Sequence, residues 1–409
     1  MTRFLAPSLI SLLVLISCYT DSNSKIPPRV LFNDPAVLLE TRERALSGDT
    51  ELAKSINQLM TEAEQIMLIK DIYSVMDKPF TPLSGDKHDY MSVGPFWWPD
   101  PEKEDGLPYI RRDGEVNPER ELYDTTPLRK LAHEVSILSA SYFFLNDEKY
   151  AERATTMIRA WFLDEKTRMN PHLNYAQAIP GKTAGRGIGI IDSRSFFEIV
   201  EAIGFITSSE SWTGQDEAGL KKWFAEYVKW LMESENGIDE EDALNNHGTW
   251  YDVILSSLAL YSGQDEIAKK VITAFPEHRI IPQIQADGSQ PRELSRTRSF
   301  HYSTMNLKGM YYIAMLGEKV GVRILNPDTE HGQLVKKALD YLIPYLSRID
   351  EWPYEQLRGW EFDDSRSLAM ILKLSTRYFD EPAYLALIDS IPAIDSLEHR
   401  MNLFLPIMR

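Results

Sequence analysis

Residues 290–306 read Gln-Pro-Arg-Glu-Leu-Ser-Arg-Thr-Arg-Ser-Phe-His-Tyr-Ser-Thr-Met-Asn and lead directly into the apolar run 307–316. The spacing of apolar residues predicts a helix over residues 300–317. Residues 290–306 concentrate arginines, a histidine and a tyrosine, and most of these side chains must be solvated or meet an anion. The apolar run is therefore predicted to belong to the fold, and residues 290–306 to a site that holds a carboxylate and moves a proton.

Helical periodicity recurs along the rest of the chain. It predicts about a dozen helices, at residues 34–47, 50–70, 127–145, 147–163, 193–208, 215–234, 244–262, 265–274, 300–317, 331–348, 363–378 and 381–391. Strand patterns are scarce, and residues 279–285 are the best candidate for a strand. No repeat period is visible, which disfavours a tetratricopeptide array. Short connections predict antiparallel helical hairpins, stacked as a two-shell α/α toroid or as an open solenoid, in one domain over residues 27–409.

Two long irregular segments, residues 81–126 and 170–192, interrupt the helices. Long loops in a compact domain usually serve a binding site, so both are predicted to roof the site. The first contains the pair Trp97-Trp98 between prolines. This pair either stacks on sugar rings or is wedged into the core, and the sequence leaves both alternatives open.

The composition sets limits on partners and cofactors. A chain of 409 residues that is 43% hydrophobic can bury a large core. Its formal net charge of -17 argues against a nucleic-acid partner, although a local arginine cluster can still bind an anion. The 8 histidines lie far apart and the chain has no His-Glu-x-x-His motif or cysteine cluster. We therefore expect neither a metal nor a cofactor.

The N-terminus resembles an export signal. Met1-Thr2-Arg3 is followed by the apolar run 4–16, which is too short to span a membrane, and then by Ser17-Cys18. Cys18 is the single cysteine, and residues 15–18 resemble the signal of a bacterial lipoprotein. We predict a signal peptide at residues 1–17, lipidation of Cys18 and a flexible tether at residues 18–26. The protein is then expected in the periplasm or outer membrane of a Gram-negative bacterium, as a monomer attached to the membrane only through the lipid.

A second group of polar residues occupies residues 245–252, Asn-Asn-His-Gly-Thr-Trp-Tyr-Asp. On a helix, Asn246 and Trp250 share one face, and His247 lies on the next. Taken alone, the motif is explained by a capping asparagine and a satisfied histidine. Together with the arginine stretch, it supplies groups that neutralise a sugar carboxylate and a tyrosine that transfers a proton, which are the requirements for β-elimination without a metal.

Residues 245–250, 296–302 and 97–101 resemble the alginate lyase superfamily of α/α-toroid polysaccharide lyases. The resemblance covers roughly residues 86–366 and is strongest to polysaccharide lyase family 38, which is related to the family 5 alginate lyases. It implies an all-α fold, an (α/α) toroid that forms an incomplete α/α barrel. It also implies that Asn246, His247 and an arginine neutralise the uronate, and that Tyr302 is the base and also the acid.

The identity of that arginine stays open. Family 5 enzymes place it seven positions before the tyrosine, where this chain has Ser295. Arg296 at six positions is the first choice, and helical spacing favours Arg298 beside Tyr302 as the second. Further substrate contacts are expected from Arg298, His301, Trp97, Trp98, His88, Tyr90, Arg194, Tyr175, Gln177 and Trp250.

The expected substrate is a 1,4-linked polyuronate, with mannuronate-rich alginate first and glucuronan second. In both, the C5 proton and the O4 leaving group lie on one face of the ring, so a single tyrosine suffices. Guluronate would need a second group, which His247 could supply. The alternatives are an α/α-toroid glycoside hydrolase built on Asp89, Asp192 and Asp252, and a surface glycan-binding lipoprotein without catalysis.

Overall fold

The computed structural model describes residues 26–346, 348–357, 362–388 and 398–405. The predicted signal peptide, Cys18 and most of the predicted tether lie outside these residues. The helices are α1 (Pro35–Leu46), α2 (Thr50–Leu68), α3 (Thr125–Leu145), α4 (Glu148–Ile158), α5 (Arg194–Ile206), α6 (Gly214–Glu233), α7 (Glu235–Glu241), α8 (Asn246–Tyr261), α9 (Asp265–Phe275), α10 (Ile281–Gln283), α11 (Pro291–Leu294), α12 (Ser299–Lys319), α13 (Glu330–Leu342), α14 (Phe362–Ser375), α15 (Pro382–Ile388) and α16 (Glu398–Phe404). The short strands are β1 (Met91–Val93), β2 (Trp97–Trp98), β3 (Ile110–Arg111) and β4 (Tyr175–Ala178).

Burial separates inner helices from outer ones. Residues 248–259 of α8 are all buried, so this helix has neighbours on every side. The next helix, α9, buries the single stripe Ala268, Ile272 and Phe275, which is the pattern of a helix with one face in solvent. Inner and outer helices therefore alternate along the chain, as helical hairpins require.

The inner helices form a ring. α3 contacts α5, α5 contacts α8, α8 contacts α12 and α12 contacts α14. The outer helices α4, α6, α9 and α13 each connect successive inner helices and pack against at least one of them. The first and last of these inner helices, α3 and α14, line the same cavity, so the series curves round on itself. This two-shell arrangement confirms the predicted all-α (α/α) toroid over the open solenoid.

The inner helices also run in the same direction. The ring of Phe197, in the first turn of α5, stacks on that of Trp250, early in α8, with centroids 5.7 Å apart. The Trp250 Nε1–H donates to the carbonyl oxygen of Met305, early in α12, at 3.2 Å. The first turns of these helices therefore lie side by side at one end of the ring. Helix N-termini carry partial positive charge, so this end favours an anionic ligand.

A glycine allows α8 and α12 to pack closely. A Cβ atom at Gly309 would lie 2.7 Å from Thr249 Cγ2, a separation that real Cβ contacts do not reach. The absence of a side chain at Gly309 thus sets how near the two helices approach. Because the first turns of both helices carry the candidate catalytic residues, this contact also sets the spacing of the site.

The predicted strand at residues 279–285 is wrong. The chain there forms a π-helical turn, Pro276–Ile280, that continues into α10. Arg279 is buried and its Nε–H donates to Asp252 Oδ2 at 2.8 Å, which holds the segment against α8. Tertiary contacts thus override a short apolar pattern that has no fixed period. The sequence analysis also missed the short helices α7, α10, α11 and α16.

Candidate active site

The site is built on the first turn of α8. The side chain of Asn245 caps this helix by accepting a hydrogen bond from the His247 backbone N–H at 3.1 Å. The cap places Asn246 and His247 in the first turn, where backbone N–H groups lack partners within the helix. Two consecutive functional side chains are thus presented at the positive end of α8.

A buried glutamate holds Asn246. Glu293 Oε1 accepts from the Asn246 backbone N–H at 2.6 Å, and Oε2 accepts from the side-chain Nδ2 at 2.8 Å. Asn246 is fully buried, and its Oδ1 makes no hydrogen bond with any residue that the structure describes. The Nδ2 end of the Asn246 amide is therefore hydrogen-bonded to Glu293.

A second buried glutamate holds His247. Its Nδ1 lies 2.7 Å from Oε1 of Glu240, a residue of α7 that is 1% exposed. A carboxylate at this distance favours the proton on Nδ1 and leaves Nε2 to act on a ligand. The imidazole is part-buried, so it is oriented by Glu240 and still accessible.

The third part of the site is a stacked pair before and within α12. The guanidinium carbon of Arg296 lies 3.9 Å from the centre of the Tyr302 ring. Burial raises the pKa of Tyr302, and the positive charge of Arg296 opposes this rise. The Tyr302 phenol is therefore protonated in the resting protein at neutral pH, and Arg296 is the residue that most reduces the cost of forming the phenolate.

Arg296 is held in place from the first irregular segment. Its Nη2 and Nε donate to the carboxylate of Asp113 at 3.0 and 3.2 Å, and Thr297 Oγ1 donates to the same group at 3.1 Å. Burial raises the pKa of Asp113, but the hydrogen bonds and charges of Arg296 and Arg111 lower it to about 2. Asp113 is therefore ionised and fixes the guanidinium against the tyrosine.

The two irregular segments are joined to each other. β1 pairs in parallel with β4, and β2 pairs antiparallel with β3. The Gly94 N–H donates to Ala178 O at 2.9 Å, and the Tyr109 N–H donates to Pro180 O at 3.0 Å. Asp113 anchors the first segment to Arg296, and residues 187–193 of the second pack against α7, which carries Glu240. The segments thus flank the site as one layer.

This set of groups suits β-elimination from a sugar acid. An amide, an imidazole and an arginine can neutralise a carboxylate, and a tyrosine beside the arginine can transfer a proton. Within the described ranges, no group of three His, Cys, Asp or Glu side chains could hold a metal.

Comparison with known proteins identifies the family. The alginate lyase family model matches residues 74–352. A solved alginate lyase from Bacteroides ovatus is 39% identical to this chain, over 93% of this chain and 100% of its own, with a TM-score of 0.88. The chain belongs to the alginate lyase family. It is therefore a polysaccharide lyase.

More distant structures share the fold of this lyase. Alginate lyase A1-III from Sphingomonas species A1 is 17% identical over 90% of this chain and 94% of its own, with a TM-score of 0.57. A single-site variant of A1-III complexed with a tetrasaccharide is 15% identical over 89% and 92% of the two chains, with a TM-score of 0.58. No curated protein sequence matched the chain. Among the described helices of the lyase, none is long and apolar enough to cross a membrane.

Trp97 and Trp98 lie in the layer formed by the irregular segments, and both are half-buried. The Lys182 ammonium lies 4.5 Å from the centre of the Trp97 ring, and the Arg112 guanidinium lies 5.2 Å from that of Trp98. Trp98 Nε1 also donates to Glu115 O at 3.0 Å. Neither tryptophan is wedged into the hydrophobic core, so an exposed edge of each remains for a sugar ring.

Tyr90 and Gln177, expected as substrate contacts, are both buried. Tyr90 is fully buried, and its hydroxyl donates to Asp192 Oδ2 at 3.1 Å. Gln177 is 5% exposed, has a backbone φ of 47°, and donates from Nε2 to Asp192 Oδ1 at 3.2 Å. Ser92 Oγ also donates to Asp192, at 2.7 Å. These residues therefore form a buried cluster around Asp192 that supports the irregular segments, and Tyr90 and Gln177 do not line an open groove.

Arg194, Trp250 and His301 line a cavity of about 640 Å³ inside the ring of inner helices. Trp250, expected as a substrate contact, is 2% exposed and has the Arg194 guanidinium 5.0 Å from its ring, so little of its side chain is accessible. His301, in the first turn of α12, lines this cavity, whereas the ring of its neighbour Tyr302 stacks against Arg296. The described lining of the cavity contains none of the four candidate catalytic residues.

The remaining predicted contacts are His88, Tyr175 and Arg298. His88 is half-buried, with Nδ1 2.6 Å from Arg168 O, and Tyr175 is half-buried in β4. Arg298 forms a backbone bridge with Gln356, and its charge lowers the pKa of Tyr302 less than that of Arg296 does. Geometry thus favours Arg296 as the arginine that acts with the tyrosine.

The carboxylates required by the hydrolase alternative are already engaged. Asp89 accepts from Asn170 Nδ2 at 2.7 Å, and Asp252 is paired with Arg279 at 2.8 Å. Asp192 is the centre of the cluster that includes Tyr90 and Ser92. All three are buried. Buried carboxylates committed to protein partners are poorly placed to flank a glycosidic bond.

Sequence reasoning missed the three acidic residues that hold the site, Glu293, Glu240 and Asp113. Glu293 precedes Arg296 by three residues in a stretch that the sequence analysis already singled out, so its role was the easiest of the three to infer from sequence. Glu240 lies in an acidic run, residues 239–242, that carries no apolar period. Asp113 lies 183 positions from Arg296, and no spacing rule connects them.

Proposed function

We propose that this lyase cleaves 1,4-linked polyuronates by β-elimination, with mannuronate-rich alginate as its first substrate and glucuronan as its second. The observation that carries this proposal is the Arg296 guanidinium 3.9 Å from the Tyr302 ring, beside an asparagine and a histidine that are each held by a buried glutamate. The 39% identity to a protein described as an alginate lyase supports the same substrate class. The product is a 4,5-unsaturated uronate at the new non-reducing end.

Neutralisation of the uronate carboxylate is the first requirement, because it makes the C5 proton acidic. In the proposed complex the amide of Asn246 and the guanidinium of Arg296 face the carboxylate, and His247 joins them as the imidazolium, in which Nδ1–H donates to Glu240 and Nε2–H donates to the substrate. Their donors stabilise the negative charge that develops there after C5 deprotonation. The first turn of α8 adds its own partial positive charge.

Proton transfer is assigned to Tyr302. As phenolate it removes the C5 proton, and the phenol then donates that proton to O4 as the glycosidic bond breaks. One group can do both in mannuronate and glucuronate chains, because the two positions lie on the same ring face. In guluronate they lie on opposite faces, and His247 is the residue placed to serve as the second group.

The location of the enzyme is also part of the proposal. Residues 1–18 carry the features of a lipoprotein signal, and we infer export to the periplasm or outer membrane of a Gram-negative bacterium with a lipid on Cys18. Incorporation of labelled palmitate into the wild type and not into Cys18→Ser is the expected result. Equal labelling of both would exclude the anchor.

The activity is tested on protein that lacks residues 1–18. Polymannuronate, polyguluronate, glucuronan and a neutral glucan are offered, and the ultraviolet absorbance of the unsaturated uronate is followed. We expect a rise with polymannuronate, a smaller one with glucuronan, and a loss of about 100-fold or more in Tyr302→Phe. Tyr261→Phe, at the far end of α8, is the matched control and retains activity. Binding of polyuronate with no absorbance change on any substrate would contradict the proposal.

A further inference from the structure

Glu293 occupies an unusual position for a carboxylate. It is 1% exposed, and both of its oxygens are used by one residue, Asn246. Burying an ionised group is costly unless its oxygens are satisfied. The two short hydrogen bonds from Asn246 satisfy both oxygens of Glu293 and connect α11 to the first turn of α8.

The contact determines which way the Asn246 amide points. A carboxylate only accepts hydrogen bonds, so it must face the Nδ2 end of the amide. The second Nδ2 hydrogen and Oδ1 are then left for other partners, and Oδ1 is buried with no partner in the described structure. A buried acceptor of this kind costs about 1–3 kcal/mol if nothing completes it. In the described structure no contact of Oδ1 therefore competes with Glu293 in setting the orientation of the amide.

We propose that Glu293 is a positioning residue that fixes the orientation of the Asn246 amide, so that an N–H and not the carbonyl oxygen meets the substrate carboxylate. The inference rests on the proposed function only for the identity of that carboxylate. Glu293 itself touches no substrate. It acts through Asn246.

Glutamine is the informative replacement for Glu293, because it keeps the size of the side chain but replaces one acceptor oxygen with an NH₂ donor. In Glu293→Gln the new side-chain carbonyl can still accept from the Asn246 backbone N–H. The new NH₂ group then faces the side chain of Asn246 and is satisfied only if that amide turns over and presents Oδ1. Glu293→Gln is therefore expected to direct the wrong edge of the amide toward the substrate.

The pH dependence provides a readout that a purely structural role would not change. Burial raises the pKa of Glu293, and the two bonds from Asn246 together with the charges of Arg296 and His247 oppose the rise. Arg296, from the α11–α12 connection, and His247, from α8, are the ionisable groups that face it. When Glu293 is protonated it no longer accepts from both donors. Part of the decrease of wild-type kcat/KM at acid pH is therefore caused by protonation of Glu293, and this part is absent in Glu293→Gln.

The kinetic test is a double-mutant cycle on polymannuronate with wild type, Glu293→Gln, Asn246→Ala and the double variant. We expect Glu293→Gln to lower kcat/KM by about 100-fold, as misplacement of a catalytic group does, with an unfolding temperature close to wild type. We expect little further loss in the Asn246→Ala background. Glu277→Gln, an exposed glutamate, is the matched control. Full activity in Glu293→Gln, or an equal loss in both backgrounds, would overturn the positioning role.

A second measurement does not depend on turnover. The Asn246 side-chain amide signals in ¹⁵N NMR, assigned with Asn246→Ala, should shift in Glu293→Gln and stay in place in Glu277→Gln. Unchanged signals in Glu293→Gln would overturn the inference. If the wild type cleaves no polyuronate, the proposed function fails, and these signals still test the contact.

Discussion

Replacing Arg296 with glutamine removes a positive charge whose carbon lies 3.9 Å from the centre of the Tyr302 ring. Two unit charges about 5 Å apart interact by about 3 kcal/mol at an effective dielectric constant of about 20, which corresponds to a factor of about 100 in an equilibrium constant. Burial already raises the pKa of Tyr302, and Arg296 opposes that rise. Without the arginine, the pKa of the phenol should therefore rise further.

The consequence is visible in the pH profile. If Tyr302 must be ionised to remove the C5 proton, kcat/KM increases as pH rises through its pKa. In Arg296→Gln this alkaline rise should move to higher pH, and kcat/KM at neutral pH should fall by about 100-fold. The assay is the initial rate on polymannuronate between neutral and strongly alkaline pH.

Arg292→Gln serves as the control, because Arg292 lies in the same stretch, is exposed, and donates to Pro282 O at 3.2 Å. This control should keep the wild-type profile. An Arg296→Gln enzyme that loses activity equally at every pH would show that the arginine only binds substrate. An unchanged profile and rate would remove Arg296 from the mechanism.

Three further predictions concern stability, each measured by urea unfolding. The pKa of Asp113 is lowered to about 2, so its stabilising effect is present above its unfolded pKa and is lost as pH falls toward 2. Asp113→Asn should therefore lower the free energy of unfolding by about 1 kcal/mol at pH 7, after solvent screening, and leave it unchanged near pH 2. An equal loss at both pH values would exclude the ionic contribution. Asp192→Asn leaves donors unsatisfied in its buried cluster and should cost about 2–3 kcal/mol; a loss below about 0.5 kcal/mol would contradict the role of the cluster. Gly309→Ala forces a Cβ atom against Thr249 and should cost about 1–3 kcal/mol, whereas wild-type stability would show that α8 and α12 separate freely.

The helices that build the ring were predictable because they are long and periodic. α8 and α12 follow directly from their apolar spacing, and Asp34 caps α1 as an Asp-Pro start signal suggests. α3 begins at Thr125, two residues before the predicted start; Asp124 precedes it without a side-chain capping bond, and its carboxylate instead pairs with Lys78. The strand at residues 279–285 failed because a short apolar run fits either structure, and only the packing of Arg279 against Asp252 decides.

The candidate site was predictable only in part. Asn246, His247, Arg296 and Tyr302 are close in two sequence stretches and carry the recognisable chemistry. Their supporting carboxylates are brought in by folding, and Glu293 lies 47 positions from Asn246. Residue spacing also failed to distinguish side chains in the site from side chains in the cavity. His301 and Tyr302 are adjacent in sequence, but His301 lines the cavity and Tyr302 stacks against Arg296.

The parallel pairing of β1 with β4 has a mechanical consequence. The two strands come from segments more than 80 positions apart, and Met91 pairs with Tyr175. Trp97 in the first segment contacts the Lys182 ammonium of the second, and the Gly94–Ala178 hydrogen bond joins the same two segments. A force on either segment is therefore transmitted to the other, and moving one alone requires breaking its hydrogen bonds to its neighbour.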